Sequence, residues 1–459
     1  MGNIGLANRP SIIKTVLAAI CAALTVCLAV TPSWAQSGIR DTEIERIIRG
    51  YADPVLEAAG IPPKSVDIYL LNDPSINAFV TRGSDMYIHT GLLVQADRPA
   101  QVIGVIAHET GHIAGGHVAR MGDAFAAAAM PMLITMGLGL IAMAAGSPDA
   151  GMALLTSGQH IAERTILRHS RIQESAADQA AVTYLTRTGQ SARGLLEITE
   201  KFRHMEILSA QKQNPYVRTH PLSSDRIASL TERTKNSPYA DILESKEQVF
   251  EFEMMKAKLY GFLNRPELTF YRYPASDTSM PARYARAVAY YRIPEVDKAL
   301  AEIDSLIADQ PNNPYFQELK GQIFFETGRA AEAIPYHNKS VELLPDAPLL
   351  RINLAQAMIA TEDSGLNAAA IRHLETAILS EQENSFAWHQ LAVAYARQGK
   401  IGKADLATAE RHFNNRQMGP AVAFAKRARI NVVKGSTHWQ RAMDIIEIAS
   451  TAQVERQRR

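Results

Sequence analysis

The stretch Ala107–His117 reads AHETGHIAGGH. Within it, His108-Glu109-Thr110-Gly111-His112 is an H-E-x-x-H sequence. Residues four apart on a helix share one face, so both imidazoles can bind one cation. Glu109 projects beside that face, where it can take a proton from a water polarised by the cation without binding the cation itself. The preceding VIGVIA, Val102–Ala107, supplies an apolar stripe that buries the helix. An ordinary amphipathic helix with two histidines would show the same five letters, so the reading turns on where the last ligand lies.

One option is a histidine in the same stretch, in the pattern H-E-x-x-H-x-x-G-x-x-H. Gly115 fits the glycine position, but the last position falls on Val118. His117 is one residue early and is turned by about 100° from the shared face. It is therefore assigned a structural or supporting place. The other option is a carboxylate from a later helix. Glu174-Ser-Ala-Ala-Asp178 sets two carboxylates four apart on one face. Glu174 can complete a two-His, one-Glu zinc site with an open position, and Asp178 can accept the spare N–H of a ligand histidine. The following AADQAAVTYL has the texture of a buried helix, in which carboxylates need partners. Gly115 and Gly116 are expected to let this helix, or the apolar segment before it, come close. His89 reads as a strand residue; His160 and His169 are given no role.

The 459 residues are too many for one core of ordinary size and suggest two or three domains. Lys+Arg total 48 and Asp+Glu 47, which gives no general affinity for nucleic acid. Arg9 and Lys14 precede an apolar run, Thr15–Val30, and Ser33-Trp34-Ala35 follows. This is the pattern of a secretory signal peptide cut after Ala35. A membrane anchor is the alternative, but the run is shorter than the roughly 20 residues a span needs. Both cysteines, Cys21 and Cys27, fall inside the segment. The expected mature chain is exported, soluble and free of disulfides, which suits a bacterial periplasm.

Ile39–Gly60 reads as a helix interrupted at Pro54, Asp67–Leu71 as a short strand, and Asn77–Leu93 as a hairpin. The H-E-x-x-H helix is expected over Pro99–Arg120. Ala124–Gly146 carries no charge and contains Pro131, Gly137 and Gly139. It reads as a buried helical hairpin covering the site. The alternatives are a surface that touches a membrane or an apolar substrate, and a true span. A helix follows over Ser157–Thr188, then a loop, Pro215–Ile227, that leads into another helix.

From about Met280 a repeat begins. Pro311 and Pro345 stand 34 positions apart, and Ala287, Gly321, Ala355 and Ala392 fill one small-residue position. Tyr290, Phe324, Met358 and Tyr395 follow three later, and Ala299, Ala333 and Ala404 fill another small position. The pattern resembles the tetratricopeptide repeat in four units, the third irregular near Ser364-Gly365, with a terminal helix after them. The expected organisation is a signal peptide at 1–35, a metallopeptidase domain at 36–265, a linker at 266–279 and repeats at 280–459. The fold class is mainly α: an α+β zincin-type domain with a small β-sheet, then an α-solenoid.

HETGH, ESAAD, the NAF and GLL segments and THP together resemble the zinc metallopeptidase family that includes the HtpX heat-shock protease and the CAAX prenyl protease. The repeats and the signal peptide narrow the resemblance to its periplasmic β-barrel assembly-enhancing subgroup. The resemblance implies one Zn2+ per chain, held by His108, His112 and Glu174, with Glu109 as general base. It implies that the edge of the NAF hairpin holds an extended substrate by strand addition. His220, in THP, is left with two roles: donor to a tetrahedral oxyanion, or a ligand that silences the site. The implied substrates and partners are misfolded or unassembled outer-membrane proteins and the β-barrel assembly machinery; the apolar run adds an expected peripheral membrane contact, and the charge balance gives no nucleic acid partner. The second function is a repeat-based chaperone or scaffold with latent proteolysis.

Overall fold

Short alternating runs between helical segments, read along 39–114, place a small sheet beside helices. The computed structural model describes residues 38–458 except 82–83, 146, 209–215 and 217–219. The expected signal peptide and the hairpin turn at 82–83 lie outside the described residues. The chain begins β1 (Gly38–Ile39), α1 (Thr42–Ala58), β2 (Ile68–Leu71), β3 (Ala78–Val80), β4 (Met86–His89), α2 (Thr90–Gln95) and α3 (Pro99–Ala114). The Asp41 side chain caps α1 by accepting from the Ile44 amide. Pro54 lies inside α1 and does not interrupt it. Pro54 and Gly50, whose carbonyl loses its amide partner, both face solvent, so the missing bond strands nothing buried.

Strand β2 pairs parallel with β4, Ile68 opposite Met86, and β3 pairs antiparallel with β4, Ala78 opposite Ile88. The order β1-β2-β4-β3 leaves β3 at an edge. Ile48 and Val55 of α1, Leu70 and Ile88 of the sheet, and Val102, Val105 and Ile106 of α3 share one core. Helix α3 ends at Gly115, short of the expected Arg120, and Gly116 follows in the left-handed region at φ +59.

Helices α4 (Met121–Ala144) and α5 (Pro148–Arg187) then run out and back. The expectation of a buried hairpin over the site is overturned here. Met121–Ala144 forms one continuous helix, with Pro131 inside it, and its large residues face outward: Leu133 is 55% and Ile141 66% exposed. Among the described residues, the main neighbour of α4 is α5, on one side. Helices α6 (Arg193–Leu208) and α7 (Ser224–Lys235) close this part, with Ser223 capping α7.

Helix α8 (Lys246–Leu263) is followed by α9 (Pro266–Arg272), within the stretch read as a linker. Then come paired helices: α10 (Met280–Arg292) with α11 (Val296–Asp309), α12 (Pro314–Glu326) with α13 (Ala330–Leu343), α14 (Pro348–Ala360) with α15 (Asn367–Ala377), and α16 (Ser385–Arg397) with α17 (Ile401–Asn414). The small repeat positions Ala287, Ala299, Ala333 and Ala355 are fully buried, where helices approach closely. The irregular third unit holds a 3-10 turn, Ser364–Leu366. A fifth pair, α18 (Met418–Asn431) and α19 (Thr437–Arg458), exceeds the four units expected. Its core of Ala421, Ala425, Ala428 and Ala442 packs against Phe424, but Ala421 follows Ala392 by only 29 positions, off the period of the earlier units, which hid it from a pattern search.

Helix α8 belongs to both cores. Phe252, Met255 and Leu259 join the core of α1 and α3, while Met254 packs with Tyr284, Ile303 and Phe316 of the repeats. At this junction Lys258 Nζ lies 2.7 Å from Asp41 Oδ2 and 3.2 Å from Glu43 Oε2, and the Tyr284 hydroxyl donates to Glu43 at 2.8 Å. Burial raises the Glu43 carboxyl, opposed by Lys258. Replacing Lys258 with methionine strands this carboxyl. The expected cost is about 3 kcal/mol, read as a lower Tm and faster limited proteolysis around 240–290.

Candidate metal and catalytic site

Helix α3 presents His108, Glu109 and His112; α5 crosses it and presents Glu174 and Asp178; His220 reaches in from the segment before α7. Crossing at this distance requires a glycine. A Cβ on Gly111 would sit 2.8 Å from the Ala177 carbonyl oxygen and 2.9 Å from its Cα. The close approach is therefore made by the glycine inside H-E-T-G-H. Gly115 and Gly116, expected to serve this purpose, instead neighbour the side chains of His117 and Arg120.

The ligating atoms of His108, His112, Glu174 and His220 lie within 4.8 Å of one another, all buried. His108 Nε2 is 3.0 Å from His112 Nε2 and 3.3 Å from Glu174 Oε2, and His112 Nε2 is 3.3 Å from Glu174 Oε1. His220 Nδ1 stands 3.3 Å from His108 Nε2 and 3.1 Å from Glu174 Oε1. Zinc bonds of about 2.0–2.1 Å in a tetrahedron put ligand atoms about 3.3 Å apart. The spacing and the donor set, imidazoles and a carboxylate, fit such a cation. Both Glu109 oxygens and His220 Nε2 are buried without a hydrogen-bond partner among the described residues. Such orphaned polar atoms belong where a ligand or reacting group is handled.

Glu174 and Asp178 are 3% and 4% exposed, so their charges need compensation. His108 Nδ1 is 2.8 Å from Asp178 Oδ1. Arg226, at the start of α7, donates to both Asp178 oxygens, from Nη2 at 2.9 Å, and Nη1 stands 2.9 Å from Glu174 Oε2. Burial works to raise Glu174, yet His220, His108 and His112 hold it well below the usual carboxylate range. Burial opposes ionisation of Asp178 too, but Arg226 and His108 bring it below its ordinary value. Burial lowers His112 to about 4, and it raises Glu109. For His108, burial is outweighed by Asp178 and Glu174, which raise it to about 9. A cation competes directly with that proton.

His117 Nδ1 lies 2.9 Å from His112 Nδ1, behind the cluster, so it meets His112 from the far side of the ring. His89 ends β4 and contacts Ser75 at 2.9 Å. His220 stacks on Tyr216, 4.5 Å between centroids, and Tyr216 stacks on Phe202. Neither Arg226 nor Tyr216 was found from the sequence. The available signals were an arginine just inside a Ser-capped helix, and an aromatic four residues before the histidine of THP.

A cavity of about 400 Å³ opens at the cluster. Glu109, His112, Glu174 and His220 line its base, Phe79 and Val80 of edge strand β3 form one wall, and Phe125 and Ile166 form another. A larger cavity of about 550 Å³ beside Arg40 and Glu381 holds ion-paired surface residues and no such cluster.

Residues 39–234 match peptidase family M48, and residues 282–348 match the tetratricopeptide repeat. A β-barrel assembly-enhancing protease of Escherichia coli (strain K12) is 28% identical over 382 residues, 80% of this chain and 75% of that protein. One from Yersinia pestis is 27% identical over 372 residues, with the same shares covered. The metalloprotease LoiP of Escherichia coli (strain K12) is 27% identical over 175 residues, 37% of this chain and 63% of LoiP.

The crossing of α3 and α5 is directly testable. Gly111→Ala forces a methyl against backbone at Ala177, and the expected destabilisation is about 1–3 kcal/mol. Thermal unfolding with and without added zinc reads it. An unchanged Tm would show that the two helices can separate freely.

Proposed function

We propose that this chain is a zinc endopeptidase of the bacterial periplasm that acts in assembly and quality control of outer-membrane β-barrel proteins; the match of residues 39–234 to peptidase family M48 and of residues 282–348 to the tetratricopeptide repeat supports this reading. The observation that carries it is the buried convergence of His108, His112 and Glu174, with an unpartnered Glu109 beside them. These three residues would hold one Zn2+ per chain. When bound, zinc lowers the pKa of water and polarises a carbonyl.

Glu109 is the general base. Its carboxyl, raised by burial, accepts a proton at one oxygen and delivers it to the leaving amine. Asp178 accepts from His108 Nδ1 and so fixes the ring with Nε2 toward the cluster. Arg226 holds both carboxylates of α5 in register. An extended substrate lies along β3, whose outer edge borders the cavity and offers main-chain hydrogen bonds whatever the sequence.

His220 is compatible with two roles. Nε2 lies 3.4 Å from Glu109 Oε1, while Nδ1 stands at the fourth corner of the donor set. That corner position favours a silencing role at rest, with release needed before hydrolysis. The repeats recruit substrates or the β-barrel assembly machinery. This placement follows the names of the relatives and the expected export signal. A repeat-based chaperone with latent proteolysis remains the second reading, favoured by the same blocked corner.

Glu109→Gln is expected to retain zinc by elemental analysis and to lose peptide hydrolysis by about 10²–10⁴-fold. If it restores outer-membrane assembly in full to cells lacking the protein, the chaperone reading holds as the main function. His220→Ala separates the two histidine roles: a gain in peptide hydrolysis marks release of a block, and a fall in kcat marks loss of an oxyanion donor. Protein that carries no zinc after purification and retains none after zinc loading would falsify the metal site.

A further inference from the structure

The arm formed by α4 and α5 is built inside out. Most residues of α4 that face α5 are small: Ala128 and Gly139 are buried, and Thr135 and Ala142 half-buried, with Met143 alongside them over Gly151. The large ones point away, with Met130, Leu133, Ile134, Leu138, Leu140 and Ile141 between 49% and 66% exposed. With Met132 and Met136, also exposed, they cover an arc of about 240° at 100° per residue. A helix bound for a groove on another protein needs one apolar stripe. A helix apolar around most of its circumference suits a solvent that is apolar in every direction.

The contact between the two helices points the same way. A Cβ on Gly139 would meet the Gly151 carbonyl oxygen at 2.9 Å, and one on Gly158 would run into the Thr135 side chain. Packing through glycines, with bulky apolar groups left outside, is the arrangement used where lipid surrounds a helix pair. Among the described residues, α4 is the one helix long and apolar enough to cross a membrane.

Charge completes the pattern. Met130–Ala144 of α4 is about 21 Å long and uncharged, and Ala150–Ala162 of α5 beside it carries no Asp, Glu, Lys or Arg. Where the apolar surface ends, Arg164, Arg168 and Arg171 stand exposed on one face of α5, and none forms an ion pair among the described residues. Glu163 is the acid nearest to them in sequence, 4.0 Å from His160. Asp149, at the turn, is the one acid at the apolar end.

We propose that the α4–α5 arm inserts its apolar end into the hydrocarbon of a bilayer with anionic headgroups, and that Arg164, Arg168 and Arg171 meet the phosphates. The arm also sets where the candidate site sits. Helix α5 runs unbroken from this arginine belt to Glu174, three residues past Arg171 and ten past Arg164, or about 5–15 Å. Phe125 and Ile166, which wall the cavity, lie at the foot of the same arm. The cavity therefore works at the height of the headgroups, on polypeptide lying at the membrane surface. The insertion rests on exposure and charge and stands without the peptidase reading.

Flotation tests it, with the purified protein and vesicles of phosphatidylethanolamine and phosphatidylglycerol, or of phosphatidylcholine alone. Wild type is expected to float with the anionic vesicles. The double variant Leu133→Asp, Leu140→Asp should stay in the soluble fraction with unchanged circular dichroism and Tm. Arg164→Gln, Arg168→Gln, Arg171→Gln should lose on the order of a hundredfold in affinity for the anionic vesicles and little for the neutral ones. Flotation of the Asp variant equal to wild type overturns the proposal. So does a wild type that fails to float. Light scattering that shows arm-dependent dimers persisting when vesicles are added overturns it in favour of a second copy as the cover.

Discussion

Two carboxylates on one buried helix face, Glu174 and Asp178, constrain everything around the candidate site. Burying a carboxylate without compensation is too costly to survive in a folded chain. Compensation here comes from three separate elements: His108 and His112 on α3, His220 before α7, and Arg226 at the start of α7. Each brings a positive or proton-donating group to the same place. The carboxylates thereby tie α3, α5 and α7 to one point, and the geometry of the cluster follows from that tie. Glu109 lies beside the ring with neither oxygen hydrogen-bonded, its nearest charged neighbour being His220 Nε2 at 3.4 Å, which leaves its carboxyl able to exchange a proton.

Helix α5 has 40 residues and does two things along its length. Its C-terminal half carries Glu174 and Asp178 into the core. Its N-terminal half leaves the core entirely and pairs with α4 through glycines. No break separates the two halves, so the position of the arm and the position of the cluster are mechanically one. The junction with the repeats is rigid for another reason. Helix α8 contributes apolar side chains to both cores, and Lys258 neutralises acids of α1 beneath a repeat tyrosine.

Much of this was legible in the sequence because it is local and periodic. The four-residue spacing of His108 and His112, and of Glu174 and Asp178, says which groups share a face. The 34-residue period says that helix pairs stack. His117 is removed from the ligand set by helical angle alone. Other features escaped because they depend on partners far along the chain. Arg226 reads as one more surface arginine until α7 folds over α5. Gly111 reads as a neutral letter in H-E-x-x-H until Ala177 is placed against it. The fifth helix pair is built largely on alanines, with Phe424 packed against them, and it falls outside the 34-residue spacing that marks the other units.

The apolar run after α3 shows the division most clearly. Its sequence determines that it is helical and uncharged, since both follow from composition over a few turns. Whether it is covered is not a local property. A buried helix and a lipid-facing helix have the same composition, and they differ only in whether other elements of the chain come to lie on them. The sequence by itself determined the ligand types, their spacing, the repeat period and the apolar character of the arm. Only the tertiary structure decided which charges neutralise Glu174 and Asp178, which glycine lets two helices cross, and that the arm stands uncovered. Those outcomes depend on contacts between segments tens of residues apart, and no window along the chain contains them.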